Sequence, residues 1–214
     1  MDRRKALKTI GIGTGAITVT PAVVGIFQSF QKNNGQFTPI HFTNDEFSIV
    51  SKLMDLILPK TDIPGAIELK LPEFLDGYID VILSESAKQQ ISIGLEQFLT
   101  VALNESSKNK SSQLDLKDLD NQLAKYLKAG EGKQKELDKT AKQFFNKKKT
   151  NRKVEIPNIA LASSFAIKLR SLTITAFKTN EYIGENVLAY SPIPGEQIGC
   201  IDLNEATGGK AWSL

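Results

Sequence analysis

From residue 47 onward, the hydrophobic positions recur at the three- and four-residue spacing of an α-helix. The first such stretch comprises Phe47, Val50, Leu53, Met54, Ile57 and Leu58. Thr43 followed by Glu46 predicts a capping box at its start, with Phe42 and Phe47 placed as a hydrophobic staple. Pro59 predicts its end, because proline lacks a backbone N–H and clashes with the preceding helical turn.

Two further helices are introduced by proline. Pro72 suits the first position of a helix, and its predicted buried side comprises Phe74, Leu75, Tyr78, Ile79, Ile82 and Leu83. Pro157 begins a long helix whose apolar positions are Leu161, Phe165, Leu169, Leu172, Ala176 and Phe177. Arg170 interrupts this apolar neighbourhood, and we interpret it as a surface arginine with a buried stem.

The middle of the chain is predicted to hold three helices, over 87–104, from Asp115 to Leu127, and over 133–149, with Gly130 and Gly132 as breaks. The last of these is basic and ends in Lys147-Lys148-Lys149. That run suits contact with anionic lipid or an acidic partner. It equally suits a solvated helix end where positive charge offsets the helix dipole, and we favour this second interpretation.

No segment alternates as a strand would, and turn residues dominate beyond Lys178. The sequence therefore predicts an all-α fold, an irregular helical bundle with an extended, turn-rich C-terminal arm. The predicted divisions are a signal or anchor at 1–31, a linker at 32–42, a helical domain at 43–180, and a short helix and arm at 181–214.

The N-terminus is similar to a twin-arginine export signal, and the matching residues are Arg3, Arg4, Leu7 and Lys8. Ala6 stands where phenylalanine is usual, and the uncharged stretch 9–31 is diluted by glycine and threonine. An ordinary secretory signal is the alternative. The stretch is long enough to span a bilayer, which takes about 20 residues, so it is either removed or retained as an anchor. Both outcomes predict a periplasmic location for the rest of the chain, and a retained segment would anchor it to the inner membrane.

The net charge and the scarcity of His and Cys exclude several classes of function. The signal holds four basic residues and one acidic one, which leaves 23 of each sign in the rest of the chain, so nucleic acid is not an expected partner. One His and one Cys are too few for zinc, haem or iron–sulfur ligation by this chain alone. We read His41 as a linker residue rather than a catalytic base. No catalytic, cofactor-binding or metal-binding residue is predicted here.

Two loop motifs carry a family resemblance. The first is LPKTDIPGA at 58–66 followed by LPEFLD at 71–76, and the second is AYSPIPG at 189–195 followed by Gly199-Cys200 and GGKAW at 208–212. With the twin-arginine start, they resemble the gluconate 2-dehydrogenase subunit 3 family. The resemblance covers most of the chain, strongly over 47–83 and 165–212 and weakly over 104–155.

The resemblance implies a non-catalytic small subunit of a sugar or polyol dehydrogenase outside the cytoplasm. Its large subunit, a GMC-type flavoprotein, would bind FAD and travel with the small one, and a c-type cytochrome carrying haem c often accepts the electrons. The expected role is folded export and assembly of the flavoprotein. The alternative is a stand-alone, signal-anchored envelope protein with a binding or scaffolding role; an independent enzyme is disfavoured.

Several residues are candidates for contact with a partner: Pro59, Thr61, Asp62, Pro64, Gly65, Tyr190, Cys200 and Trp212. The prolines stiffen the first loop, which lowers the entropy lost on docking, although the same residues could simply join two helices. Tyr and Trp are enriched at interface hot spots, although Trp212 could instead fold back onto its own domain. Cys200 predicts either a disulfide to the flavoprotein or a buried, inert thiol.

Overall fold

The computed structural model describes residues 37–150, 154–191 and 200–213. Its helices are α1 Asn44–Ile57, α2 Leu71–Ile82, α3 Glu85–Ser106, α4 Leu116–Leu127, α5 Glu131–Thr150, α6 Asn158–Lys178 and α7 Leu203–Thr207. A 3₁₀ turn at Ser111–Gln113 and a π-helical turn at Ile183–Val187 complete them, all within the unit Pro39–Leu214. Pairing between extended segments is confined, in these ranges, to one bridge between Ala189 and Trp212. The all-α prediction is confirmed.

Side-chain caps define the helix starts. The Thr43 hydroxyl accepts from the Glu46 N–H at 3.3 Å, and the Glu46 carboxylate accepts from the Thr43 N–H at 2.9 Å, so the predicted capping box is confirmed. Asp115 and Asp118 form the same reciprocal arrangement before α4. Each box satisfies backbone donors that the first helical turn leaves free.

The long helix α6 is the centre of the packing. It contacts α3 and α5 most extensively and also meets α1, α2 and α4. Small residues allow neighbouring backbones to approach, and Ala160, Ala162, Ser163 and Ala166 are buried along it. Arg170 is exposed, which confirms its interpretation as a surface residue.

Within the described part of the chain, α6 is also the helix whose length and apolar composition would suffice to cross a membrane. Half of its apolar window is buried inside the domain. Its apolarity is accounted for by its place in the core.

The structure corrects two details of the helical prediction. Phe74 and Ile82 do not belong to the buried side of α2, whereas Leu75 and Ile79 do. The core covers only one face of that helix, so apolar residues on another face stay in solvent. Gly132 does not interrupt helical structure, because α5 begins at Glu131 and includes it. The exposed first turn of a helix tolerates glycine.

Candidate partner-binding surface

The loop 58–70, between α1 and α2, is closed by backbone contacts that only glycine permits. The Ala66 N–H donates to the Leu58 carbonyl at 2.9 Å. A Cβ at Gly65 would lie 2.6 Å from the Lys60 nitrogen and 2.9 Å from the Pro59 carbonyl carbon. Gly65 is itself buried. Its role is therefore to close the loop, and it has no side chain to offer a partner.

An ion pair joins the two sides of the same loop. Lys60 donates to one oxygen of Glu68, and the Gly65 N–H donates to the other at 3.3 Å. The hydrogen bond from Lys60 holds the pKa of Glu68 below its usual range. These contacts order the loop while leaving Thr61 and Asp62 exposed at its tip.

The loop forms one wall of a groove of about 630 Å³, which we call the loop groove. Its lining comprises residues 60–64, 68–70 and 180–182. The structure thus brings Thr61, Asp62 and Pro64 next to Tyr182, where the chain leaves α6 for the C-terminal arm. Charged, amide and aromatic groups meet in this groove, which suits recognition of a polar surface.

Lys70, on the wall of the loop groove, has a left-handed backbone with φ 52°. It precedes α2 as the N-cap residue without supplying a side-chain cap. Residues other than glycine rarely adopt this conformation, and such strain concentrates at functional positions. Lys70 therefore joins the candidate residues, although no sequence pattern identified it.

The two ends of the C-terminal arm pair with each other through their backbones. The Ala189 N–H donates to the Ala211 carbonyl and the Ser213 N–H to the Ala189 carbonyl, both at 2.8 Å. The side chains of Tyr190 and Trp212 nevertheless stay 54% and 55% exposed. The main chain at Trp212 thus pairs with Ala189 of the same arm, while the indole remains available for contact.

Cys200 is exposed. The buried, inert thiol, one of the two alternatives for this residue, is therefore wrong, because the thiol lies on the surface of the arm rather than in the core. The disulfide to a partner stays a prediction.

Asp76 stabilises the fold, although in the sequence it stood out only as part of the motif at 71–76. It is fully buried, and its carboxylate accepts the backbone N–H groups of Ile40, His41 and Phe42 at 2.6, 3.1 and 3.0 Å. These bonds tie the segment before α1 to α2. The signal that could have found it is its spacing from Pro72 and Ile79, which lie four residues before and three residues after it on the same buried face of α2.

The other predicted features fall on the surface or outside the described residues. Lys147 and Lys148 are exposed near the end of α5, with the Lys148 Nζ 5.9 Å from the centroid of the Phe144 ring. The export-signal residues Arg3, Arg4, Leu7 and Lys8 lie outside the described residues, as do positions 192–199 of the second motif. Among the residues described, no group of three or more His, Cys, Asp or Glu is placed to hold a metal ion.

Comparison with known families decides the assignment. Residues 44–195 match the family described as Gluconate 2-dehydrogenase subunit 3. The chain belongs to this family. The match begins with α1 and includes the loop 58–70, the loop groove and Tyr190. No curated protein and no solved structure matches the chain. A gluconate 2-dehydrogenase subunit 3 is by its name one subunit of a multi-subunit dehydrogenase.

Proposed function

We propose that this chain is the non-catalytic small subunit of an extracytoplasmic, FAD-dependent sugar or alcohol dehydrogenase. Its role is to accompany the folded flavoprotein through export and to hold it in the assembled enzyme. The observation that carries the proposal is the family match over residues 44–195. FAD belongs to the GMC-type large subunit, and haem c to a cytochrome as third subunit.

The docking surface proposed for the flavoprotein consists of the loop groove and the exposed rings of the arm. The loop is ordered by Gly65 and the Lys60–Glu68 ion pair, so little conformational entropy remains to be lost when a partner binds. Tyr190 and Trp212 offer large rigid rings with few rotatable bonds, which are properties of interface hot spots.

The proposed route of export is the twin-arginine route, because Arg3 and Arg4 stand before a mildly apolar stretch. This route carries folded proteins, as a flavoprotein loaded with FAD requires. The mature chain would then reside in the periplasm, in association with the inner membrane.

The test uses the full chain with a C-terminal tag, expressed in its native host and purified from the envelope in mild detergent. We expect a larger subunit in roughly equal amount and the visible absorption spectrum of a flavin. A colourless protein that elutes alone would contradict the proposal and would favour the stand-alone envelope protein.

A second arm separates the export routes. Replacing both arginines, Arg3→Lys with Arg4→Lys, keeps the positive charge that an ordinary secretory signal needs. We expect the double variant and the flavoprotein to remain in the cytoplasm together. Normal export of this variant would show that the chain uses the ordinary secretory route. The wild-type chain, expressed in the same way, is the control.

A further inference from the structure

Helix α2 presents an apolar face that no other described element covers. Phe74, Tyr78 and Ile82 are spaced by four residues and share one face of the helix, which we call the α2 stripe. Phe74 is 42% and Ile82 61% exposed, and the rings of Phe74 and Tyr78 stack with centroids 6.0 Å apart. Leu75 and Ile79 hold the helix to the core from another face.

The α2 stripe adjoins the loop groove. Lys70, on the groove wall, accepts the Phe74 N–H at 3.1 Å and donates its own N–H to Ile67 at 3.0 Å. Ile67 is itself 47% exposed. The loop 58–70 therefore leads directly into Phe74, the first residue of the α2 stripe. A partner bound at the loop groove would lie next to the α2 stripe.

Charge identifies the occupant of this face as a protein rather than a lipid surface. Over its length, Leu71–Ile82, α2 has no Lys or Arg. Its acidic residues that reach solvent are Glu73 and Asp80, since Asp76 is buried, and Asp80 lies 3.7 Å from Lys88 of α3. Helices that lie on membranes have a basic polar face, and anionic headgroups attract Lys and Arg. Glu73, partly exposed beside Phe74, would oppose such headgroups and would instead attract a basic group on a protein partner.

We infer that the α2 stripe is a hydrophobic part of the interface with the dehydrogenase large subunit, an inference that rests on the proposed function. The partner surface that fits it is an apolar recess with Lys or Arg at its edge, facing Glu73. Phe74 and Ile82 act as the apolar anchors, and Tyr78 supports Phe74 by stacking.

The test compares the double variant Phe74→Ser with Ile82→Ser against Leu116→Ser, all in the tagged full chain. Leu116 is a matched control, because it is 54% exposed on a different helix, α4. The measurement is the dissociation constant for the large subunit that copurifies with the wild-type chain. We expect the double variant to bind at least about tenfold more weakly, as loss of interface anchors does, and Leu116→Ser to bind normally.

The outcomes separate the two proposals. Absence of a flavoprotein from the wild-type preparation would remove the proposed function. A flavoprotein that binds the double variant as tightly as the wild type would overturn the α2 inference alone. Circular dichroism and the thermal midpoint check that the variants fold; since both substituted side chains are exposed, we expect little change in either.

Two other occupants have their own signatures, and each would overturn the inference. A second copy of this chain would appear as a dimer that the double variant converts to a monomer. Contact with a bilayer would be detected with a fluorescent dye attached at Ile82→Cys in a Cys200→Ser background. In proteoliposomes of the full chain, nitroxide-labelled phospholipid would then quench the fluorescence of that dye.

Discussion

Asp76 is the residue whose removal should disturb the start of the domain most. In Asp76→Ala, the N–H groups of Ile40, His41 and Phe42 lose a charged acceptor. Hydrogen bonds to charged groups stabilise more than neutral ones, and buried donors without a partner are costly. We expect the free energy of unfolding to fall by about 2–4 kcal/mol, measured by denaturant titration.

The control for that substitution is Asp55→Ala, which removes an exposed carboxylate from α1. We expect it to change the free energy of unfolding by less than about 0.5 kcal/mol. Hydrogen exchange locates the effect, since the amides of residues 40–42 should exchange faster in Asp76→Ala. Equal stability of the two variants would show that the Asp76 bonds contribute little.

Because of the buried Tyr126, we expect the free energy of unfolding to depend on pH in the alkaline range. Burial raises the pKa of Tyr126 to about 12, and the charge of Glu105 acts in the same direction, while the hydrogen bond from Gln122 opposes both. An unfolded tyrosine loses its proton near pH 10. Between pH 10 and 12 the unfolded state therefore holds fewer protons than the folded state, so stability falls by about 2–3 kcal/mol as the pH rises through this window.

The comparison of Tyr126→Phe with the wild type isolates this effect. Lys88 and Lys108 also contribute to the alkaline loss, because hydrogen bonds to Glu85 and Asp118 are the main causes that raise the pKa of each amine. They are present in both proteins, so we expect Tyr126→Phe to show a shallower decline in the free energy of unfolding above pH 10. Parallel curves for the two proteins would contradict the prediction.

At the scale of elements, the contact between α3 and α6 depends on a missing side chain. A Cβ at Gly94 would lie 2.9 Å from the Phe165 Cβ, which is too close for either helix to accommodate without moving. We expect Gly94→Ala to lower the free energy of unfolding by about 1–3 kcal/mol through overpacking, although alanine has the better helix propensity.

Gly132→Ala is the matched control in α5, because nothing lies within 4 Å of a Cβ at that position. There alanine should leave stability unchanged or raise it by up to about 1 kcal/mol. The thermal midpoint of Gly94→Ala should therefore fall, whereas that of Gly132→Ala should stay the same or rise. A stabilised Gly94→Ala would mean that α3 and α6 can separate at little cost.

Helix positions were predictable because their signals are local. The Thr43–Glu46 capping box, the stop at Pro59 and the start at Pro157 act within one or two turns. As a result α1 begins and ends, and α6 begins, near the expected residues. The α2 stripe was not predictable, because Phe74 and Leu75 are equally apolar in the sequence. Only the position of the neighbouring helices decides which of them is buried.

At the scale of the whole molecule, Cys200 predicts a covalent link between subunits. It is the chain's only cysteine and is exposed, so a disulfide formed in an oxidising compartment must join it to another chain. We expect the purified complex to run on a non-reducing gel as a band of combined mass. Reductant and Cys200→Ser should each abolish that band, whereas a single band at the small-subunit mass without reductant would contradict the link.

The candidate surface illustrates the division between sequence and structure. The turn residues of the loop, the aromatic residues of the arm and the family motifs were evident in the sequence, since composition and short spacing identify them. The meeting of Thr61 with Tyr182, separated by most of the domain, was not evident. It depends on how α1, α2 and α6 pack together, and no local pattern encodes that geometry.

The sequence by itself determined the all-α class, the principal caps and stops, and the family of this subunit, because these depend on periodicity and on neighbouring residues. The tertiary structure alone decided that Asp76 binds the segment before α1, that Lys70 has a left-handed backbone and that Cys200 is exposed. It also decided which face of α2 remains in solvent. Each of these depends on contacts between residues distant in the chain, where burial and hydrogen bonding are set by packing rather than by spacing.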